Sequence, residues 1–381
     1  MGQSTRRKDL DRIRIAACFS TFCYHAIQVF DLNPYYHVKS NTLSPVLDVA
    51  ARLLHAVRMP LFFMIAGMAG FLALQRHSDR DLVRQRARRL LPPFFIGIIL
   101  FTPVVKYLEL LDGRSIDWRG IIQLGASPPD VLTFLRRYFT QLRWFSWSHM
   151  WFPLYLFLLG ISLLPAMRAM ARRPWTGQVP IIAALALPLL VLVVIELALR
   201  PVFPHHVPNL ISDWASIAVY AVVMLAGAAL ICWPPLELSL QKSLPATIAI
   251  TALGIWLYLG FADWPMRGIG RAITLWGALC VVIGIGPFLG RGRVAGEGYF
   301  AEAVFPLYVM HHVPLLLLAT GVKDRPWPVW QRYSIIVIGS FAVTLACYHL
   351  LVRRYDPVRR AFGLPAKRVQ SFGHSKPADR R

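Results

Sequence analysis

Ten apolar segments, each close to the length that crosses a bilayer, constrain this chain more than any other feature. A transmembrane helix needs roughly 20 consecutive apolar residues. Hydrophobic residues make up 56% of the 381 and charged residues only 16%, too apolar for a soluble domain of this length. The sequence therefore predicts an all-α, polytopic integral membrane protein with about ten transmembrane helices. The segments are about 13–31, 53–74, 90–110, 149–166, 179–199, 214–232, 244–262, 270–289, 301–321 and 333–352.

Basic residues predict the orientation of these spans. With the N-terminus inside, the inner segments hold 26 of the 41 lysines and arginines. Because cytoplasmic loops are enriched in such residues, both termini are expected in the cytoplasm. The net charge of +22 follows this sidedness, which argues against a nucleic-acid partner and fits anionic lipid and phosphate-bearing substrates. We expect a cytoplasmic segment (1–12), a membrane domain (13–355) and a basic, disordered cytoplasmic tail (356–381).

His25 lies past the middle of the first span and is the leading candidate for a functional residue. Arg14 stands eleven positions earlier, which places both on one helix face, roughly 16 Å apart along the axis. An ionisable group at this depth is expensive and marks a functional site by default. A histidine there can also exchange a proton near neutral pH. A structural histidine bonded to a neighbouring helix is the alternative interpretation of His25 taken alone.

Further histidines fall at similar outer depths in other spans. His55, with Arg58 one turn later, opens the second span, His149 opens the fourth, and His311 and His312 lie together in the ninth. Prolines interrupt the fourth and ninth spans. Several histidines at one depth indicate a polar cavity for proton chemistry or for sugar hydroxyls. No metal-binding spacing accompanies them, so we expect no metal site.

Arginines cluster on the inner side, at the mouth of the third span. Arg86 and Arg89 share a helix face there, and Arg14 is expected at the same level. An ordinary positive-inside loop accounts for such a density of charge. The other interpretation is an anion site, because guanidinium groups bind phosphates through paired hydrogen bonds.

Taken together, these patches resemble the membrane acyltransferases of the acyltransferase type 3 family. The likeness covers about residues 9–355 and keeps the family's order, although the start lacks the glycine that many members carry. The matching patches are Asp11–Arg14 followed by His25, His55–Gly67, Arg86–Pro93, Ser148–Phe152 and Tyr308–Pro314.

The resemblance implies an enzyme that moves an acyl group, such as succinyl or acetyl, from cytoplasmic acyl-CoA to a hydroxyl of an extracytoplasmic glycan. It implies that His25 is the essential histidine and that Arg86 and Arg89, with Arg14, hold the CoA. Acyl-CoA would be the donor substrate, with no permanently bound cofactor.

The candidate residues are assigned a base and supporting roles in this chemistry. His25 is expected to act as general base, because a sugar hydroxyl is a weak nucleophile until its proton is removed. Three histidines are expected to assist catalysis and three residues to contact substrate. The first set is His55, His149 and His311, and the second is Arg58, Trp151 and His312.

The competing interpretation is a transporter or exporter of a glycan or lipid-linked sugar. It also accounts for buried histidines and basic inner loops. It predicts internal repeats or matched broken helices, and the sequence shows no repeat.

Overall fold

The computed structural model describes residues 7–172, 181–204 and 207–366, and this part of the chain is almost entirely helical. The tail predicted to be disordered over 356–381 instead begins with a helix (Asp356–Ala361), because Arg359 is buried there and pairs with Glu302. The rest of that tail beyond residue 366 and the first residues of the 179–199 segment lie outside the described residues. The helices are α1 (Lys8–Ile27), α2 (Pro45–Leu74), α3 (Asp79–Ile96), α4 (Thr102–Leu111), α5 (Val131–Thr140), α6 (Trp151–Ser162), α7 (Leu164–Arg172), α8 (Ile181–Val194), α9 (Trp214–Cys232), α10 (Pro234–Lys242), α11 (Leu244–Gly260), α12 (Met266–Gly284), α13 (Gly286–Leu289), α14 (Glu297–Met310), α15 (His312–Val322), α16 (Val329–Cys347) and α17 (Asp356–Ala361).

Five helical stretches in the described residues are long and apolar enough to cross a membrane, and three bent helix pairs raise the number to eight. The pairs are α6–α7, α10–α11 and α14–α15, bent by 44°, 73° and 58°. The interruptions expected in the fourth and ninth spans are thereby confirmed. Each of the ten predicted segments overlaps a helix. The first and fifth are not among the eight, because α1 carries Asp11, Arg12 and Arg14 and the described apolar helix Ala186–Leu199 is short.

The bundle is closely packed where two glycines bring α2 and α9 together. A Cβ added at Gly67 would lie 1.9 Å from the backbone oxygen of Met224. One added at Gly227 would lie 2.1 Å from the backbone oxygen of Met64. Small residues of this kind let helix backbones touch inside a membrane, where packing rather than water exclusion drives association. This contact fixes α2, and with it the residues of α2 that reach the site.

The segment between α1 and α2 folds back into the bundle instead of lying over it. Ser40 N–H donates to the Val29 carbonyl (2.9 Å), and Lys39 Nζ pairs with Asp31 Oδ1 (2.6 Å). Burial lowers the pKa of Lys39, and the charge of Asp31 opposes that shift. These contacts hold Tyr36, which is 4% exposed, in the interior of the protein.

A short hairpin lies at the same end, in the 111–148 segment. It consists of β1 (Arg114–Ile116) and β2 (Ile122–Leu124), which pair antiparallel. The same segment also contains the helix α5. These elements form the rim above the site.

Candidate active site

A cavity of about 650 Å³ opens at the end of the bundle that carries the 28–44 and 111–148 segments. Its volume lies in the range usual for small-molecule sites, roughly 300–1,000 Å³. Tyrosines, tryptophans, carboxylates and arginines line it together, a mixture suited to a polar ligand with apolar faces. Five of its lining residues are histidines: His25, His37, His55, His149 and His312.

The two histidines of the ninth span lie at the break between α14 and α15. Pro306 lies inside α14 and Pro314 follows the break, and a proline lacks the N–H that continues a helix. The axis turns by 58° at His311. The bend presents His311 and His312 side by side to α1.

His25 faces this break directly. Its ring centroid lies 4.7 Å from that of His312 and 5.2 Å from that of His311. Its Nδ1 is 2.9 Å from the side-chain oxygen of Gln28. Because that oxygen only accepts, Nδ1 carries the ring hydrogen and Nε2 is left with a lone pair. The arrangement suits a group that takes a proton from a bound hydroxyl.

Arg14 and His25 lie on one face of α1, as the sequence predicts. One Arg14 Nη donates to the Ala301 carbonyl of α14 (3.1 Å) and to Asp11 Oδ1 (3.1 Å). His25 contacts the same broken span at its break, where it lies against His311 and His312. The single helix α1 therefore connects the arginine cluster near one of its ends to the cavity at the other.

His149 and His312 are joined by hydrogen bonds whose direction follows from their partners. His149 Nε2 donates to the Val309 carbonyl (3.0 Å), so His149 Nδ1 is an acceptor. His312 Nδ1, 3.1 Å from that atom, must then carry the hydrogen. Its Nε2 accepts from the Tyr36 hydroxyl (3.1 Å). His312 is thereby fixed in one tautomer.

Trp151 also lines the cavity, where its ring stacks on Tyr220 with centroids 5.7 Å apart. His55 lines it too, and its Nδ1 is 3.0 Å from the Tyr24 hydroxyl. Both residues therefore lie at the cavity, where their predicted roles in catalysis and substrate contact require them to be.

Two predicted site residues lie behind the wall. Arg58 stacks 3.9 Å from the centroid of the Tyr24 ring and does not line the cavity. His311 is fully buried, and its Nδ1 donates to the Tyr308 carbonyl (2.6 Å). The structure brings His25, His55, His149, His312 and Trp151 to one surface, whereas the direct roles of Arg58 and His311 stay predictions.

The inner arginines lie at the other end of α1. The guanidinium group of Arg86 fills the space above Gly70 and Gly160, where an added Cβ would lie 2.4 Å and 1.6 Å from its nitrogens. Arg89 is close enough to Arg14 for their charges to repel. Within the described residues, neither Arg86 nor Arg89 forms an ion pair. Unbalanced positive charge of this kind favours an anionic ligand.

Sequence reasoning missed His37, Lys106 and Glu109. Lys106 and Glu109 are fully buried and form an ion pair on α4, and His37 Nδ1 also bonds Glu109. Charged residues three apart near the end of the third span were a readable signal, because intramembrane charges mark functional sites. His37 lies in an irregular segment and carried no signal of its own.

An all-α bundle with several apolar helices and a histidine-lined cavity defines an integral membrane protein with the groups for proton chemistry. Comparison with known sequences identifies that chemistry. The family described as "Acyltransferase domain" matches residues 7–349, so the chain belongs to this acyltransferase family and is a transferase of acyl groups. This decides between the enzyme and exporter interpretations in favour of the enzyme.

The motifs also resemble those of glucans biosynthesis protein C, and the curated relatives confirm this likeness. Proteins of that name from Salmonella heidelberg (strain SL476), Salmonella agona (strain SL483) and Salmonella enteritidis PT4 (strain P125109) are each 26% identical over 329 residues. The match covers 81% of this chain and 82% of each relative. No solved structure matches the chain.

Proposed function

We propose that the protein transfers an acyl group from cytoplasmic acyl-CoA to a hydroxyl of an extracytoplasmic glycan, with His25 as general base. The observation that carries this proposal is the placement of Arg14 and His25 on one face of α1 against the broken span. One end of that face meets the inner arginines and the other meets the cavity. The distance of roughly 16 Å is one that the long pantetheine arm of CoA can cover.

The acceptor is inferred from the cavity and from the relatives. Sugars present hydroxyls and apolar ring faces, and the cavity offers histidines beside aromatic rings. The relatives are named for the biosynthesis of glucans, which makes a glucan the first acceptor to test. Succinyl and acetyl are the acyl groups to test first.

The donor is inferred from the arginines. CoA carries phosphates, and Arg14, Arg86 and Arg89 supply planar groups that bind phosphates in pairs of hydrogen bonds. Mutual repulsion of Arg14 and Arg89 disfavours the empty site. A bound phosphate relieves that repulsion.

The proposed topology has ten crossings of the bacterial inner membrane, with both termini in the cytoplasm. The eight candidate crossings of the structure become ten when α1 and the short apolar helix Ala186–Leu199 also cross. The excess of basic residues at the predicted inner ends supports this orientation. It places the cavity on the outer side.

Transfer across sealed vesicles tests the reaction and its direction together. Right-side-out membrane vesicles are loaded with radiolabelled acyl-CoA, and a glucan too large to cross is added outside. We expect label on the external glucan, and none in vesicles that lack the protein. Label only when the acyl-CoA is outside would contradict the direction. Absence of label with acetyl- and succinyl-CoA in either compartment would contradict the function.

Substitution of Gly160 by alanine tests the donor site without touching an arginine. The new methyl group occupies the position of an Arg86 nitrogen, so the guanidinium group must move. We expect weaker binding of acyl-CoA, seen as a raised KM for the donor with an unchanged KM for the glucan. Arg86→Ala should match it, and Arg86→Lys should recover only part of the affinity because it lacks the planar fork.

Gly298→Ala provides the matched control, since a Cβ at that helical position meets no atom within 4 Å. If Gly160→Ala and Arg86→Ala had the same donor KM as the control, the arginine cluster would not bind the donor. It would then serve only to orient the protein in the membrane.

A further inference from the structure

Three side chains that the proposed function leaves unused form a hydrogen-bonded row at the cavity wall. Ser148 Oγ is 3.2 Å from His37 Nε2, and His37 Nδ1 bonds a carboxylate oxygen of Glu109. They come from three separate parts of the chain, namely the turn before α6, the segment after α1, and α4. We propose that Ser148 is a nucleophile, activated by His37 and Glu109, and that it carries the acyl group as an ester. This inference rests on the proposed transfer from a thioester to a hydroxyl.

The hydrogen positions support attack by Ser148. Glu109 accepts from His37 Nδ1, so His37 Nε2 is the acceptor that faces the serine. His312 Nδ1 carries a hydrogen, as its bond to His149 requires, and lies 3.0 Å from Ser148 Oγ. That single hydrogen is shared between His149 Nδ1 and Ser148 Oγ in a three-centre bond. The serine oxygen is thus an acceptor toward His312, and its own proton points to His37. A hydroxyl held against the free nitrogen of an oriented imidazole is the arrangement that activates serine.

Glu109 is held so that it can orient His37. Its other oxygen pairs with Lys106 Nζ and accepts from the Ile116 N–H (2.7 Å). All of its side chain is buried. A buried carboxylate with fixed partners orients the imidazole and stabilises the imidazolium formed during reaction.

The backbone of Ser148 is in a conformation that serine seldom adopts. Its φ is 45°, in the left-handed region, where non-glycine residues are uncommon. Backbones of this kind are strained and concentrate at functional sites. Here the turn directs Ser148 into the cavity that it lines. The serine and His25 both lie against His312, and both line the cavity, so one bound substrate can contact the two.

The reaction then has two balanced steps. In the first, His37 takes the Ser148 proton while Oγ attacks the thioester carbon. The carbon–sulfur bond breaks, and His37 returns the proton to the departing CoA thiol. In the second, the glycan hydroxyl loses its proton to His25 and attacks the ester. The bond to Ser148 Oγ breaks, that oxygen takes up the proton that His25 removed from the glycan, and the acylated glycan leaves.

Mass spectrometry of peptides from the acid-quenched protein tests the ester. The full-length protein in detergent is mixed with acetyl- or succinyl-CoA without glucan, quenched in acid and digested. We expect the acyl mass on the peptide that contains residue 148, and a burst of CoA release near one per protein. Ser148→Ala should remove both and lower turnover on the order of 10³-fold or more. Ser148→Cys should retain the adduct as a thioester that hydroxylamine cleaves.

Two further variants separate this inference from the proposed function. His37→Gln should remove the burst, and His25→Ala should keep the burst and adduct while losing transfer to glucan. Ser127→Ala, exposed in the same outer segment, is the matched control and should behave as wild type. Turnover without an adduct or burst, or near-normal turnover in Ser148→Ala, would overturn the acyl-serine and leave direct transfer standing. Absence of both turnover and adduct in the wild type would overturn both proposals.

Discussion

Replacement of His25 by alanine is expected to lower transfer to the glycan by about 10²–10⁴-fold, the usual effect of removing a general base. The lone pair of its Nε2 is the proton acceptor that the mechanism uses, and alanine leaves no substitute there. The initial rate at saturating acyl-CoA and glucan measures the effect. The KM for acyl-CoA should change little, because Arg14, which marks the proposed donor site on α1, is roughly 16 Å away along the helix axis.

His77→Ala is the matched control, because His77 is exposed in the turn after α2. Gel filtration and membrane yield establish that both variants fold. Near-normal transfer by a well-folded His25→Ala protein would remove His25 from the mechanism.

Replacement of Lys106 by alanine is expected to destabilise the protein by about 3–5 kcal/mol, the usual effect of breaking a buried ion pair. Lys106 and Glu109 are both fully buried, and Lys106 Nζ also donates to the Ile116 carbonyl (2.9 Å). Without the lysine, Glu109 is left as a buried charge with less compensation. Thermal unfolding of the purified protein in detergent measures the loss.

The exposed Lys242 provides the control, and its alanine variant should unfold close to wild type. Lys106→Ala combined with Glu109→Gln should recover part of the loss, because the uncompensated charge is then absent. A single Lys106→Ala variant as stable as the control, or a double variant no more stable than the single, would contradict this account.

The sequence was most informative where a regular period governs geometry. The helical repeat alone places Arg14 and His25 on one face, and the structure bears this out through Ala301 and His312. Apolar segments and prolines likewise predict helices and two of their breaks. Such features depend on residues close together in the chain.

The sequence was least informative where the site depends on contacts between distant segments. His37 reaches the cavity because Lys39 and Ser40 anchor an irregular segment inside the bundle. Its partner Glu109 lies on another helix. The 58° turn at His311 is set by packing against α1 and α16, so the prolines indicate a break but not its direction. No local pattern encodes these three relations.

A cavity open enough for the proposed sugar acceptor is open to water as well. Its mouth includes exposed residues such as Leu32 and Ile211, and nothing in the described part of the chain closes over them. Water and sugar hydroxyls are nucleophiles of similar strength, so the base that activates one activates the other. Under the proposed mechanism, hydrolysis of the acyl donor is the competing reaction. Its share depends on how fully the glycan fills the cavity, so the yield of acylated product per donor consumed is set by occupancy and falls when the acceptor is scarce.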